Sequence, residues 1–492
     1  MTHASSHHQR LSAVDALLLC MEDATSPMHV AAVLIFDGAP LRSEDGSLQV
    51  ERLQAHVESR LWNLPRYRQR LDWVPLLEHP VWVDDASFDV RSHVRPVSVP
   101  PPGSKEQLEA LVGQLVAEPL DRSRPMWEIY LVDGLQDGAF ALVAKVHHCI
   151  VDGVLGAQVI ASTLELEPRE DVSEVPAWRP RPAPRPRELL LEEIRYRGLR
   201  TADLMRQGRD WLAQGGAHTS EARQMARGLL SYLKALVPAS ATPFNPHRIG
   251  PRRSFHWTTL DLDRVKALKR RAGCTVNDVA MAVVAGAVRE YLQRHDRDVG
   301  GVDFRVMVPV SEHREGIQPT DGNRVSLMIV RLPVDESDPA ERLRRCVEVM
   351  REAKGSRQAD SLAFAEELAD WTTAQFLAEA ARRMVLLRPI NMIVTNVPGP
   401  PMQLYILAAP LREAHAMVPL FGNIGAGIAL FSYFGRLGVG INADPDTIPD
   451  ASILTELVQR AFAELEQSVP VIGEARRRDD GPRSDRPRPR RQ

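Results

Sequence analysis

The sequence predicts an α/β (α+β) protein of two domains joined by a helical linker. Three observations predict it. The chain has 492 residues, more than one hydrophobic core usually supports, and its 44% hydrophobic and 25% charged content is that of a folded globular protein. Short apolar runs with strand character alternate with segments whose apolar residues recur at helical spacing. A Pro/Arg-rich stretch, Pro176 to Arg187, divides the chain into two such series.

In the first series, Leu11 to Cys20 reads as an opening helix and His29 to Phe36 as a strand. Val50 to Leu61 reads as helical, and Val97 to Gly103, with three consecutive prolines, as a rigid loop. Glu106 to Ala117 sets Leu108, Leu111, Val112 and Leu115 on one helical face. Trp127 to Val132 and Phe140 to Val146 form a strand pair, separated by Asp133-Gly134 and Asp137-Gly138 turns. These elements define a first domain over 1–166.

Residues 167–253 hold the connector and crossover helices from Glu188 to Val237. There Arg195, Arg197, Arg200, Arg206 and Arg209 intersperse with Ile194, Leu199, Leu204, Trp211 and Leu212. Two readings stand: a solvated helix packed on the body, or a membrane-surface element. The second domain, 254–471, carries strands near Phe255 to Leu262, Phe304 to Val310, Ser326 to Leu332, Met392 to Thr395, Ile428 to Phe434 and Leu437 to Ile441. Its helices are Leu262 to Ala272, Val276 to Arg294, Pro339 to Ala353 and Ile453 to Gln467. The Arg- and Pro-rich tail, 472–492, is expected to be disordered.

A net charge of −3 gives no reason to expect nucleic acid as a partner. The four cysteines (Cys20, Cys149, Cys274, Cys346) form no Cys-x-x-Cys pair, so neither a zinc ribbon nor a disulfide framework is indicated. Met1 to Arg10 lacks the apolar core of a signal peptide. Pro389–Leu411 and Ala414–Gly435 lack Asp, Glu, Lys and Arg, but their many prolines and glycines favour buried strands joined by turns over membrane helices.

The densest chemical signal is His147-His148-Cys149-Ile150-Val151-Asp152-Gly153, between a strand-like run and a small-residue helix start. At average residue usage such a pattern arises by chance in on the order of one in a thousand chains this long. A neutral histidine suits proton abstraction near pH 7. Adjacent loop residues point in different directions, so His147 and His148 are not expected to share one task. Asp152 invites a catalytic-triad reading, in which it would orient an imidazole. Gly153 allows close backbone approach. Cys149 has no base-activated setting evident in sequence and reads as a small packing residue. A metal site built on His147, His148 and Asp152 lacks a further well-spaced ligand. Asn277, at a helix start, fits an N-cap, and Asn396 fits a turn. Ala280 to Val288 and Ile424 to Phe434 fit equally the lining of an apolar channel or ordinary core.

His147-His148-x-x-x-Asp152-Gly153 resembles the signature of the chloramphenicol-acetyltransferase-like superfamily of CoA-dependent acyltransferases. Within it, the chain resembles the bacterial wax ester synthase/diacylglycerol acyltransferase family. The supporting segments are Leu11-Ser12-x-x-Asp15 with Pro27-Met28-His29, and Pro119-Leu120-Asp121-Arg122-Ser123-Arg124-Pro125-Met126-Trp127-Glu128, with Met where Leu is commoner. Asn277-Asp278, Thr395-Asn396-Val397-Pro398-Gly399-Pro400, Ser432-Tyr433-x-Gly435-Arg436 and Ala443-Asp444 complete the set. Together they span roughly residues 9 to 470, in family order.

The resemblance implies two chloramphenicol-acetyltransferase-like domains with mixed sheets and an active site between them. It implies acyl transfer from acyl-CoA to diacylglycerol, a long-chain alcohol or both, with no cofactor beyond the acyl-CoA substrate. His148 is then the general base, and His147 tunes or packs the site. Asp152 turns away to brace the loop against an arginine, for which Arg305 is the choice here. Asn277 and Asn396 gain roles in substrate or oxyanion binding. Such acceptors imply a cytoplasmic protein held peripherally on the inner membrane or on lipid droplets. A rival reading is a condensation-domain-like or polyketide-associated acyltransferase. Those carry an Asp-Phe-Gly-Trp-Gly segment where this chain has Phe431-Ser432-Tyr433-Phe434-Gly435-Arg436. A lipid-binding or droplet-coating protein with a dead site is disfavoured by the intact His148 and Asp152.

Overall fold

The computed structural model of the protein describes residues 8–150, 163–174, 178–213, 237–311, 325–355 and 374–469. The chain opens with β1 (His8–Arg10), α1 (Ala13–Met21), β2 (His29–Phe36) and α2 (Val50–Arg60). A hairpin, β3 (Gln69–Trp73) and β4 (Pro80–Asp84), precedes α3 (Val90–His93), β5 (Val94–Ser98) and α4 (Lys105–Ala117). Then come β6 (Trp127–Asp133), β7 (Phe140–His147) and the long helix α5 (Pro186–Ala213). The later half runs β8 (Ser254–Asp261), α6 (Leu262–Ala272), α7 (Val276–Arg294), β9 (Phe304–Ser311), β10 (Val325–Leu332), α8 (Pro339–Gly355) and α9 (Ala374–Leu386). It closes with β11 (Met392–Val397), β12 (Tyr405–Ile406), β13 (Ala409–Met417), β14 (Ala426–Tyr433), β15 (Arg436–Ala443) and α10 (Ile453–Ser468).

Two mixed six-stranded sheets organise these elements. One has the order β12-β13-β2-β7-β6-β5, antiparallel except for the parallel β5/β6 pair. The other has the order β10-β9-β11-β14-β15-β8, in which β11 runs parallel to both neighbours. In the second half α7, α8 and α10 cover one face of the sheet and form the larger core. Residues Val279 to Val288 of α7 are buried all round, as a central helix of a large core must be. The stretch Ala280–Val288 that sequence could not assign is therefore core.

A smaller core holds the halves together. Helix α4 packs Leu108, Val112 and Val116 against the first sheet and against Phe255 and Trp257 of β8. Polar links reinforce it: Lys105 Nζ donates to the Trp257 carbonyl at 2.6 Å, and His256 Nδ1 meets Glu109 at 2.8 Å.

The sheets also exchange chain. A boundary at 253/254 assigns every later strand to the second unit, yet β12 and β13 complete the first sheet, with Leu411 opposite Phe36 and Met417 opposite Ala31. The cause is local and compositional. The Pro398–Pro401 turn ends β11, and the next apolar strand buries Ala409, Leu411 and Ala414 in the same cluster as Leu34 and Phe36. Glycines in β15 permit the crossing. A Cβ on Gly440 would lie 2.1 Å from the Ala416 carbonyl oxygen, so β13 and β15 touch backbone to backbone there.

Sequence reading also missed the β3–β4 hairpin, strand β5 before the proline loop, and helix α9. The tail 472–492, and the crossover segment beyond residue 213 as far as 236, lie outside the described residues. Among the described residues no helix is long and apolar enough to cross a membrane.

Candidate active site

The site grows from the paired ends of β2 and β7, where His29 stands opposite His147. Both strands are buried, so the turn that follows β7 starts from a fixed platform. Backbone bonds then place the histidine pair. The His147 N–H donates to the Met126 carbonyl at 3.0 Å, the His148 N–H to Met28 at 2.8 Å, and the Ile150 N–H closes the turn onto His147 at 3.0 Å.

The two imidazoles sit in different settings. His147 is buried; its Nδ1 accepts the Cys149 N–H at 3.1 Å, and its Nε2 faces Glu22 Oε2 at 2.7 Å. A backbone N–H can only donate, so Nδ1 carries a lone pair and the proton is on Nε2. With both nitrogens engaged, His147 has no free nitrogen for a substrate proton.

His148 is the opposite case. It keeps a partly exposed edge, while its buried Nδ1 has no hydrogen-bond partner among the described residues. Burial pushes its pKa down to about 4. It is therefore a neutral base at physiological pH, with Nδ1 unpartnered among the described residues.

Cys149 Sγ lies 3.0 Å from His147 Nδ1, a contact that sequence spacing did not suggest. The thiol is buried beside Leu11, Trp82 and Met126, and burial pushes its pKa well above the ordinary value. Cys149 is thus a packed thiol, not a thiolate nucleophile.

The segments that carried the resemblance converge on this turn. In the opening segment Ser12 caps α1 by accepting the Asp15 N–H at 3.1 Å, and Leu11 packs in the cluster that holds Cys149. Arg122 reaches Glu22 at 3.3 Å and the Leu19 carbonyl at 3.0 Å. Trp127 is fully buried, donates Nε1–H to the Tyr67 carbonyl at 2.8 Å, and stacks on His93 with centroids 4.5 Å apart. Glu128 pairs with the buried Lys145 at 2.8 Å. Glu22 was missed by sequence reading, since Met21-Glu22-Asp23 resembles any polar helix end.

A second group lies on the other sheet. Asn396 Nδ2 donates to Asn277 Oδ1 at 3.3 Å, so two sequence-distant candidates meet. Asn277 is not the N-cap. Thr275 caps α7, in a reciprocal box with Asp278. The turn after Asn396 is fastened by the Gly399 N–H donating to Ser432 Oγ at 3.1 Å. A Cβ on Gly399 would lie 2.1 Å from the Ser432 carbonyl oxygen, which requires glycine there. Tyr433 OH accepts the Leu404 N–H at 2.9 Å and donates to the Leu411 carbonyl at 3.1 Å, tying this turn to the exchanged strands. Asp444 is fully buried and accepts from Thr447 Oγ1 at 2.6 Å and the Gly250 N–H at 3.1 Å, a turn-forming role.

Asp152 and Gly153 lie outside the described residues. Arg305, chosen from sequence as the partner of Asp152, is held by Asp303 at 2.5 Å and by the Val237 carbonyl at 2.8 Å.

Two mixed sheets in two domains form a fold that resembles those of acyltransferases and condensation domains. The first condensation domain of the calcium-dependent antibiotic synthetase superposes with a TM-score of 0.59 at 17% identity, over 95% of this chain and 99% of that one. That is a likeness of fold alone. The wax ester synthase/diacylglycerol acyltransferase from Marinobacter aquaeolei VT8 is more similar. Its TM-score is 0.68 at 25% identity, over 94% of this chain and 99% of that one. Residues 11–280 match the wax ester synthase/diacylglycerol acyltransferase catalytic domain, and residues 321–466 match the WS/DGAT C-terminal domain. A Mycobacterium tuberculosis protein named as a putative diacylglycerol O-acyltransferase is 33% identical over 470 residues, 93% of this chain and 90% of that relative. The chain belongs to the wax ester synthase/diacylglycerol acyltransferase family of acyltransferases.

Proposed function

We propose that the protein moves a fatty acyl group from acyl-CoA to a lipid hydroxyl, on diacylglycerol, a long-chain alcohol or both, with His148 as general base. The observation that carries the reading is the contrast within the histidine pair: His147 is engaged at both nitrogens, whereas His148 is neutral and its Nδ1 has no partner among the described residues. His148 takes the hydroxyl proton as the alcohol oxygen attacks the thioester carbonyl. The tetrahedral oxyanion collapses, the carbon–sulfur bond breaks, and the departing thiolate receives the proton from His148. Asn277 and Asn396 are assigned to substrate or oxyanion hydrogen bonding. Asn396 occupies Asn277 Oδ1, which leaves Asn277 Nδ2 as the donor. Asp152 and Gly153 are assigned to support of the loop.

One assay tests the reading. Purified full-length protein receives palmitoyl-CoA with an equal mixture of diacylglycerol and hexadecanol, and the lipids are separated. Triacylglycerol, wax ester or both should form with release of CoA. Absence of both products, with transfer from a carrier-protein thioester instead, would sink it in favour of a condensation-like enzyme.

Acceptors of this kind reside in a lipid surface, and we place the contact on α5. Leu191, Ile194, Leu199 and Met205 are each more than half exposed, on the side away from buried Leu189 and Glu193. Arg195 lies among them and complements anionic headgroups, while Arg206 is paired with Asp203 at 2.6 Å. Replacing Leu191, Ile194 and Leu199 by serine should cut flotation with phosphatidylglycerol-containing vesicles by about tenfold or more. Unchanged flotation of that variant removes α5 from the lipid contact.

A further inference from the structure

We propose that Glu22 is a positioning residue for acyl transfer: its carboxylate, held by Arg122, pins the Nε2–H tautomer of His147 and thereby the turn that presents His148. The proposal rests on the reading of His148 as the base.

The geometry makes His147 a two-ended strut. At one end Nδ1 accepts the N–H of Cys149, inside the same turn, at 3.1 Å. At the other end Nε2–H meets Glu22 Oε2 at 2.7 Å, across 125 positions of chain. The imidazole therefore couples the turn to a point on a different element, and its single proton must lie on the Glu22 side.

The anchor is itself fixed. Glu22 follows the last residue of α1, and Arg122 bridges it to the Leu19 carbonyl near the end of that helix. The body of α1 packs against α9, whose Arg382 donates to the Cys20 carbonyl at 2.6 Å. Burial of Glu22 works against ionisation. The hydrogen bonds from His147 and Arg122, with the charge of Arg122, work the other way, and the pKa lies below the ordinary carboxylate value. An ionised acceptor makes the stronger bond to the imidazole N–H. The segments 11–29 and 119–128 thus meet at one carboxylate, a consequence that neither segment reveals alone.

His148 is the residue next to this strut, and its own side chain makes no anchoring bond among the described residues. Its placement depends on the turn, and the turn depends on His147. A displacement of the order of 1 Å at a reacting group is enough to cost about 100-fold in rate.

Two measurements on the full-length protein test this. In ¹⁵N-histidine-labelled protein at pH 7, His147, assigned by its loss in His147→Gln, should show the neutral Nε2–H pattern. A Nδ1–H or doubly protonated ring overturns the proposal without any Glu22 variant. In turnover assays with palmitoyl-CoA, Glu22→Ala should lose about 10- to 100-fold in kcat while KM stays within about twofold. Glu22→Gln, which keeps an oxygen acceptor for Nε2–H, should recover most of that kcat. A merely structural carboxylate would shift the denaturation midpoint of both variants alike and would show no such recovery. Full activity of Glu22→Ala beside an inactive His148→Ala sinks this inference alone, whereas an active His148→Ala sinks the reading beneath it.

Discussion

Replacing His148 by alanine should lower kcat by about 10²–10⁴-fold, the share that a positioned general acid–base group supplies, and leave the denaturation midpoint close to wild type. The second half of that expectation comes from the structure. The Nδ1 of His148 has no partner among the described residues, so truncation strands no hydrogen bond, and the bond from its N–H to Met28 stays. His147→Ala should behave differently, because it leaves the Cys149 N–H without its partner in a buried place and leaves the Glu22 carboxylate to Arg122 alone. The pH profile follows with a definite sign. Protonation inactivates the base, and burial holds its pKa down at about 4. As pH falls through the ordinary imidazole value of about 6.5, kcat/KM should stay level and decline only on approach to about 4. Between those two values the unfolded chain binds the proton and the folded one does not, so this residue also withdraws stability as pH falls through that window. Half-loss of activity near the ordinary value, with the fold intact, would move the base to another residue.

Gly440→Ala should destabilise the protein by about 3 kcal/mol, the upper end for a core forced to accept one extra carbon. The new Cβ would stand 2.1 Å from the Ala416 carbonyl oxygen and about 3 Å from the Phe255 ring. A flexible side chain could yield; a strand backbone cannot without moving β13, which is paired on its other side to β2. Because Gly438 faces Ala414 in the same manner two residues earlier, the strain has no escape along the strand. A lowered denaturation midpoint is the readout. A midpoint equal to wild type would mean that the sheets slide apart at no cost.

Elements with a strong period of their own were legible in the sequence. Strand His29–Phe36 and helices Leu262–Ala272 and Val276–Arg294 fall on their expected limits. Phe140 to Val146 was legible because it is apolar at every position but Lys145, as a strand buried on both faces tends to be. What escaped depends on distant partners. Ala409–Met417 is a strand because β2 offers it an edge, and nothing within those nine residues says which sheet they join. Helix Ala374–Leu386 owes its place to α1, more than three hundred positions earlier. The site divides in the same way. His148 was legible from a rare local pattern and Asn277 and Asn396 from short motifs, but their meeting was not. Glu22 carried no signal, because a glutamate at a helix end is ordinarily a solvated charge.

The strand exchange also sets a timetable for synthesis. The first sheet has β7 in place once residue 147 is made, but the free edge of β2 waits for β13. At 5–20 residues per second the ribosome needs roughly 15–50 s to reach residue 417. For that interval Ala31 to Phe36 presents an apolar, unpaired strand edge to every other nascent chain nearby. The two halves therefore mature together, and a message truncated before β13 yields an adhesive intermediate and not a finished domain.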